Sequence, residues 1–123
     1  MNSLKYIYVA GSISDASFIK ALGNVSVGIE KSIELLVEWE LIPFCPFIDF
    51  LFFLQTKHKI TDKMIKDYSM AWLERCDCVY VLPNSSNSIG TQAEIRRAGE
   101  LDIPVFYSLE DLLTEADILF KTW

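Results

Sequence analysis

The sequence predicts an α/β fold in which helices cover a mainly parallel β-sheet. Three short apolar runs are rich in β-branched and aromatic residues, the pattern of strands that are buried on both faces. They are residues 6–10, 78–82 and 103–106. Between the second and third runs, Ile95 and Ala98 continue a helical period. This strand–helix–strand order is the unit from which parallel sheets are built.

Composition points to a single domain. The 123 residues, 51% of them apolar, supply enough material for one core but not for two, so residues 1–123 are expected to form one domain. The formal net charge of −6 argues against a nucleic-acid polymer as partner, because such an interface needs clustered Lys and Arg. A small phosphorylated ligand remains compatible with this charge.

Neither a membrane nor a metal is expected as a partner. The amino terminus has no signal-peptide pattern, and the apolar stretch 41–54 is too short to span a bilayer, so a cytosolic protein is predicted. Three cysteines and one histidine show no zinc-ligand spacing. The thiols of Cys45, Cys76 and Cys78 are expected to be reduced and buried.

The first strand, residues 6–10, leads into a small, hydroxyl-rich loop of sequence Gly-Ser-Ile at residues 11–13. In a parallel sheet this loop lies at the carboxyl edge, where backbone amides and the Ser12 hydroxyl could hold a phosphate or sugar oxygen. The alternative is an ordinary turn with Ser14 or Asp15 as the helix N-cap. The loop taken alone favours the turn.

A long helical pattern runs from residue 15 to residue 40. Gly23, Asn24 and Gly28 are expected to break it into a short first helix and a longer second one. Along one side of the longer helix lie the apolar residues Ile29, Ile33, Leu36 and Val37. Residues 41–46 then predict a short strand whose length is limited by proline.

Residues 47–54 carry more aromatic surface than one small domain easily hides. The segment could be core, a subunit interface, or a lid whose rings stack on a base. An interface is favoured, because large apolar patches on soluble proteins usually meet a partner.

Two further helices follow this segment. Thr61 and Asp62 open a helix that carries Asp67 beside its apolar side, and the sequence alone favours a solvated position for that carboxylate. A last helix is predicted to begin after Ser108, in a sequence typical of a capping box.

The most informative stretch, residues 87–95, follows the strand at 78–82. Ser88 and Gly90 lie near the start of the next helix, at the sheet edge where open α/β folds place their ligands. Ser88 offers a small hydroxyl donor, and Gly90 lets backbone approach a ligand. This position predicts a site for an anion.

Glu94 is the unusual member of this stretch. It shares a helical face with Ala98 and Leu101, so its carboxylate should point towards the sheet, where carboxylates are seldom buried without a reason. The alternative is a capping box in which Thr91 and Glu94 satisfy each other's backbone amides. The residue spacing alone favours neither interpretation over the other.

Together, these motifs resemble the nucleoside 2-deoxyribosyltransferase-like superfamily, which includes 2'-deoxynucleoside 5'-phosphate N-hydrolases and small uncharacterised relatives common in phages and prophages. The matching parts, in chain order, are residues 8–13, Asp67, residues 76–77, Ser-Ile-Gly at 88–90, and Glu94. The resemblance covers about residues 6–106. It implies a flavodoxin-like or Rossmann-like three-layer sandwich with a mainly parallel sheet of four to five strands, usually assembled as a homodimer or larger homo-oligomer.

The resemblance also implies roles for individual residues. Glu94 matches the nucleophile that attacks the anomeric carbon of a (deoxy)ribosyl group, and Asp67 matches an acid that positions the sugar or protonates the leaving base. Such a pair of acids is chemically coherent with a covalent glycosyl intermediate and needs no cofactor. The predicted substrate-binding residues are Tyr8 near the sugar, Ser12 and Ser88 at a 5' phosphate, and Gly11, Ile13, Asp49 and Gly90.

Two other functions stay open. The chain could bind a nucleotide-derived signal without cleaving it, as a phage-encoded sponge against host defence would. An arginine that often follows Gly-Ser-Ile in phosphate-binding relatives is replaced here by Ser14, which fits a repurposed site. The third possibility is a structural or assembly role carried by residues 47–54.

Overall fold

A parallel β-sheet forms the centre of the structure. The computed structural model describes residues 4–11, 18–46, 52, 59–83, 85 and 88–116, apart from the side chains of residues 18–21 and 62. Over these residues, strands and helices alternate in the order β1 Tyr6–Ala10, α1 Phe18–Trp39, β2 Ile42–Phe44, α2 Asp62–Leu73, β3 Cys78–Val81, α3 Ile89–Glu100, β4 Val105–Phe106 and α4 Leu109–Glu115.

Within the described residues, the sheet has four strands in the order β2-β1-β3-β4, and every neighbouring pair is parallel. β1 is therefore an inner strand, with Tyr8 paired to Phe44 on one side and to Val79 on the other. The order reverses between β1 and β3, which is where open α/β sheets place ligands beyond their carboxyl ends. The predicted α/β architecture with a parallel sheet is confirmed.

Alternate side chains of β1 enter two separate cores, because successive residues of a strand point to opposite faces. Ile7 and Val9 pack with Leu35 of α1 and Leu112 of α4. On the other face, Tyr8 and Ala10 pack with the second core cluster, which includes Leu73 of α2 and Ala98 of α3. The sheet thus lies between two helical layers, and Tyr8 faces the layer that contains α3.

The predicted break in the first helix is wrong. α1 runs without interruption from Phe18 to Trp39, a length of 22 residues that includes Gly23, Asn24 and Gly28. Gly28 has a packing role, since a Cβ atom there would lie 2.7 Å from the Cys45 sulfur, just after β2. Close contact between the helix and that loop explains why glycine is tolerated at a cost of about 1 kcal/mol in helix propensity.

Two helices end at a residue in the left-handed region. Glu40 after α1 has φ of 54°, and Asp102 after α3 has φ of 57°. The amide of Ile103 donates to the carbonyl of Ala98 at 2.8 Å, which closes the end of α3 in a Schellman-type cap. These ends turn the chain sharply into β2 and towards β4.

Other predicted boundaries hold closely. Thr61 is the N-cap of α2 and Ser108 the N-cap of α4, as their sequences predict.

The aromatic segment 47–54 lies outside the described residues except for Phe52, whose ring packs edge-on against Tyr68 of α2 at 5.4 Å. Among the helices that the structure describes, none is both long and apolar enough to cross a bilayer.

Candidate functional site

Tyr8 and Glu94 meet between the sheet and α3. Tyr8 is fully buried in the middle of β1, and Glu94 is half-buried in the second turn of α3. The phenolic O–H of Tyr8 donates to Oε2 of Glu94 at 2.5 Å. The carboxylate therefore points towards the sheet, as the spacing of Glu94 with Ala98 predicts. This hydrogen bond restrains the position of one carboxylate oxygen.

The start of α3 is capped by Ser88 and not by Thr91, the cap of the alternative interpretation. The helix begins at Ile89 with Ser88 as N-cap, whose Oγ accepts from the backbone amide of Thr91 at 3.0 Å and donates to the Thr91 hydroxyl at 2.6 Å. Thr91 lies inside the helix and is only 1% exposed. The alternative capping box of Thr91 with Glu94 is therefore wrong, and the Glu94 carboxylate is directed to Tyr8 instead.

The two predicted glycines occupy different surroundings. A Cβ at Gly11 would lie 2.5 Å from Cδ1 of Leu82, so glycine allows the chain leaving β1 to pass close to the chain leaving β3. Gly90 is exposed, and a Cβ there would meet nothing within 4 Å. Packing thus explains Gly11 but not Gly90. Ser12, Ile13 and Asp49, which complete the predicted set, lie outside the described residues.

Asp67 lies apart from this pair on the outer side of α2. Its side chain is 65% exposed, and its Oδ2 accepts from Nζ of Lys63 at 2.7 Å. This hydrogen bond and the negative charge of Asp67 raise the pKa of Lys63. The solvated position favoured by the sequence is the one observed. The catalytic role of Asp67 stays a prediction of the resemblance alone, and this exposed, paired position leads us to expect little effect from removing the carboxylate.

An aromatic row beside Tyr8 was missed by sequence reasoning. The Tyr8 ring lies 5.9 Å from the ring of Phe44, and Phe44 stacks on Trp72 of α2 at 5.0 Å with an interplanar angle of 18°. Phe44 and Trp72 also line a cavity of about 330 Å³, whose other walls are Tyr6, Ile42, Pro43, Arg75 and Cys76. Aromatic residues on successive strands were the available signal, but only the β1–β2 register shows that they meet.

Two of the three cysteines are poor nucleophiles. Cys45, Cys76 and Cys78 form no disulfide bonds in the structure. Burial, followed by the charge of Asp77, raises the pKa of Cys76 to about 11 and the pKa of Cys78 to about 12. Since the thiolate is the reactive form, these two thiols are inert at neutral pH.

Residues 20–108 match the model of the family DUF7768, which is described as a domain of unknown function, and the chain belongs to this family. The matched segment begins within α1 and ends just before α4, so it includes Glu94, Ser88 and Asp67 but not Tyr8. No curated protein matches the sequence. The geometry of Tyr8 and Glu94 is therefore the main guide to function.

Proposed function

We propose that this member of the DUF7768 family is a nucleoside or nucleotide N-glycosidase, or a 2-deoxyribosyltransferase-like enzyme, with Glu94 as its nucleophile. The proposal rests on one observation, the hydrogen bond from the buried Tyr8 phenol to the half-buried Glu94 carboxylate. A carboxylate placed on the sheet side of a helix, close to the carboxyl edge of a parallel sheet, is a candidate for catalysis because structural stability alone does not require it.

The reaction follows from the chemistry of carboxylates at sugar carbons. Glu94 attacks the anomeric carbon, the glycosidic C–N bond breaks, and the base leaves with the bonding electron pair and takes up a proton from solvent water. Water then attacks the glycosyl–enzyme ester to complete hydrolysis, or a second base attacks it to complete transfer. Tyr8 acts as a positioning residue in this scheme, because its O–H restrains one oxygen of the Glu94 carboxylate during the approach.

The start of α3 supplies the proposed place for a phosphate or sugar hydroxyl. Amides in the first turn of a helix have no intrahelical acceptor and favour an anion. Exposed Gly90 adds no side chain in front of these amides. The Ser88 hydroxyl already forms two hydrogen bonds with Thr91. A ligand would therefore share this hydroxyl with Thr91. We expect this activity in the cytoplasm, because free nucleotides are found there.

The direct test is release of free base. The purified chain is incubated with a panel of ribo- and deoxyribonucleosides and their 5' monophosphates, and free base is separated by chromatography. We expect release from at least one member of the panel, with a preference that identifies sugar and phosphate requirements. Addition of a second free base distinguishes transfer from hydrolysis, because only transfer yields a new nucleoside. A panel that stays intact over long incubation removes the enzymatic proposal.

A specific observation favours a second function. Asp67, the acid that the resemblance implies beside Glu94, is exposed and paired with Lys63. A site with an aligned carboxylate but without that second acid would hold a nucleotide-derived ligand more readily than it would cleave it. The alternative is therefore a non-catalytic binder of a nucleotide-derived signal, with a phage-encoded sponge as one setting. Equilibrium dialysis followed by recovery of the ligand intact would select this function.

A further inference from the structure

The cavity beside Phe44 and Trp72 has no part in the proposed reaction. It lies at the side of the sheet, because β2 is the outermost strand within the described residues. Tyr6 and Ile42, which line it, are paired in register at the amino ends of β1 and β2. The helix start proposed for a phosphate lies at the opposite, carboxyl end of the strands. A volume of about 330 Å³ is enough for one small organic molecule.

Aromatic side chains give this cavity flat apolar walls. Phe44 and Trp72 stack on each other at 5.0 Å with an interplanar angle of 18°. The exposed fraction is 43% for Trp72 and 50% for Tyr6, so part of each ring is left uncovered. Aromatic rings gain energy from stacking or edge contacts with a second ring beyond the burial of area alone. The walls therefore favour a ligand with a planar ring.

Arg75 gives the cavity a positive charge. Among the lining residues that the structure describes, the guanidinium is the sole group that is charged at neutral pH. The thiol of Cys76 is neutral there, because burial raises its pKa to about 11. The Arg75 Nη1 donates to the carbonyl of Ala71 at 3.3 Å, and no described carboxylate forms a salt bridge with Arg75.

The acids closest to Arg75 in the sequence are engaged elsewhere. Glu74 accepts from Nε of Arg97 on α3 at 3.1 Å. Asp77 accepts from two backbone amides at the start of β1, at 2.8 and 2.9 Å. Neither acid lines the cavity. The guanidinium of Arg75, a planar fork of N–H donors that matches a carboxylate, is therefore available to an anion.

We propose that this cavity binds a small aromatic carboxylate, with its ring on Trp72 and its carboxylate on Arg75. The amide of Arg75 donates to the carbonyl of Trp72 at 3.0 Å, so the last turn after α2 presents both side chains to the same cavity. A single cation matches the single charge of a carboxylate better than the roughly two charges of a phosphate ester. The site shares no residue with the proposed catalytic set, and the proposal does not depend on the enzymatic function.

An NMR titration of the full chain with three probes tests the ligand class. Phenylacetate has both required groups, phenethylamine has the same ring with the opposite charge, and cyclohexylacetate has the same charge without a flat ring. We expect phenylacetate to bind with a dissociation constant of about 1 mM or tighter. Phenethylamine should bind at least ~10-fold more weakly, and cyclohexylacetate about threefold or more. The shifts should centre on the indole N–H of Trp72 and the amides of Tyr6 and Ile42.

Arg75→Gln tests the charge and Trp72→Leu tests the ring. Arg75→Gln should weaken phenylacetate binding by roughly 10- to 100-fold and leave phenethylamine binding unchanged. The control is Arg96→Gln, which removes the same charge from an exposed position of α3 outside the cavity and should leave every affinity within about twofold. Trp72→Leu should weaken phenylacetate roughly threefold to tenfold and cyclohexylacetate much less. Both substituted side chains are exposed, and circular dichroism checks that the variants keep the helical content of the parent.

Glu94→Gln separates this site from the proposed active site. Phenylacetate should bind this variant as tightly as the parent, whether or not the parent releases base from any nucleoside. A fall in affinity in Glu94→Gln would place the ligand at Glu94 and overturn the proposal. Three other results would also overturn it. They are no shift with phenylacetate at tens of millimolar, equal affinities for phenylacetate and phenethylamine, and equal losses in Arg75→Gln and Arg96→Gln.

Discussion

Glu94 and Asp67 are acidic residues on adjacent helices of the same layer, yet their surroundings differ in nearly every respect. Glu94 on α3 is half-buried and accepts from a fully buried phenol on the sheet. Asp67 on α2 is 65% exposed and bonds to a lysine of its own helix. The two helices are themselves linked by Arg97 of α3, which donates to Glu74 at the end of α2 at 3.1 Å.

The element that faces a helix position therefore determines what an acidic side chain can do there. Helical spacing predicts Glu94 on the sheet-facing stripe and Asp67 beside the apolar side of its helix, and the resemblance implies a role for each. At Glu94 the opposite element is β1, which presents Tyr8 on the facing side of the sheet. The Asp67 side chain is exposed and pairs with Lys63, and such a surface pair contributes little to the free energy of folding. Four substitutions test this difference between Glu94 and Asp67.

The largest effect is expected from Glu94→Gln. If the carboxylate is the nucleophile, the neutral amide should lower the rate of base release by at least ~1,000-fold, because no other group forms the glycosyl ester. The rate is followed by chromatography of the free base. Glu100→Gln on the same helix is the control, since Glu100 is exposed and should tolerate the change with an unaltered rate. Undiminished release in Glu94→Gln would remove Glu94 from the role.

Tyr8→Phe should have the next largest effect. Loss of the phenolic O–H leaves the half-buried Glu94 carboxylate without this donor, which should lower the free energy of unfolding by about 1–3 kcal/mol. The rate of base release should fall by about 10- to 100-fold, with most of the change in kcat, because orientation and not substrate binding is lost.

Tyr6→Phe provides the comparison for that experiment. Tyr6 lies two residues earlier on the same strand and is 50% exposed, so removing its hydroxyl should change neither quantity. Urea titrations give the unfolding free energies, and initial rates give kcat and KM. Equal unfolding free energies and equal kcat values in the two phenylalanine variants would mean that the Tyr8–Glu94 hydrogen bond does not orient the carboxylate.

Ser88→Ala separates helix capping from ligand binding. Loss of the Ser88 hydroxyl removes the acceptor for the Thr91 amide and should cost about 1 kcal/mol of stability. Ser108→Ala at the start of α4 removes an equivalent cap, in which Oγ accepts from the amide of Asp111 at 3.1 Å. The two variants should therefore lose similar stability, measured by urea unfolding.

Ligand affinity then distinguishes the two serines. Only Ser88 lies at the proposed site, so only Ser88→Ala should weaken the binding of a nucleoside monophosphate, by roughly threefold to tenfold in calorimetry for one lost hydrogen bond. Identical affinities in both variants would assign Ser88 to capping alone.

Asp67→Asn should have the smallest effect. The exposed pair with Lys63 adds little, so the urea midpoint and the rate of base release should stay at the parent values. Lys63→Gln removes the same pair from the other side and should behave identically. A fall in rate of about 100-fold or more in Asp67→Asn, but not in Lys63→Gln, would show general-acid catalysis by Asp67 and would erase the contrast with Glu94.

The sequence predicted the strands of the sheet and the sheet-facing direction of Glu94 because both depend on local periodicity. Apolar runs of β-branched and aromatic residues identify buried strands, and the spacing of Glu94 with Ala98 defines one helical face. The helical period at α1 was continuous, and the prediction failed there because Gly23, Asn24 and Gly28 suggested a break. The close approach of Cys45 explains why glycine stands at position 28 of an unbroken helix.

The layered parallel architecture, the helix that carries Glu94 and the solvated position of Asp67 follow from local sequence patterns, because secondary structure depends on neighbours within a few residues. The hydrogen bond between Tyr8 and Glu94 and the aromatic row of Tyr8, Phe44 and Trp72 became visible only in the folded chain. Contacts such as Tyr8 with Glu94 join residues 86 positions apart and depend on strand order and register.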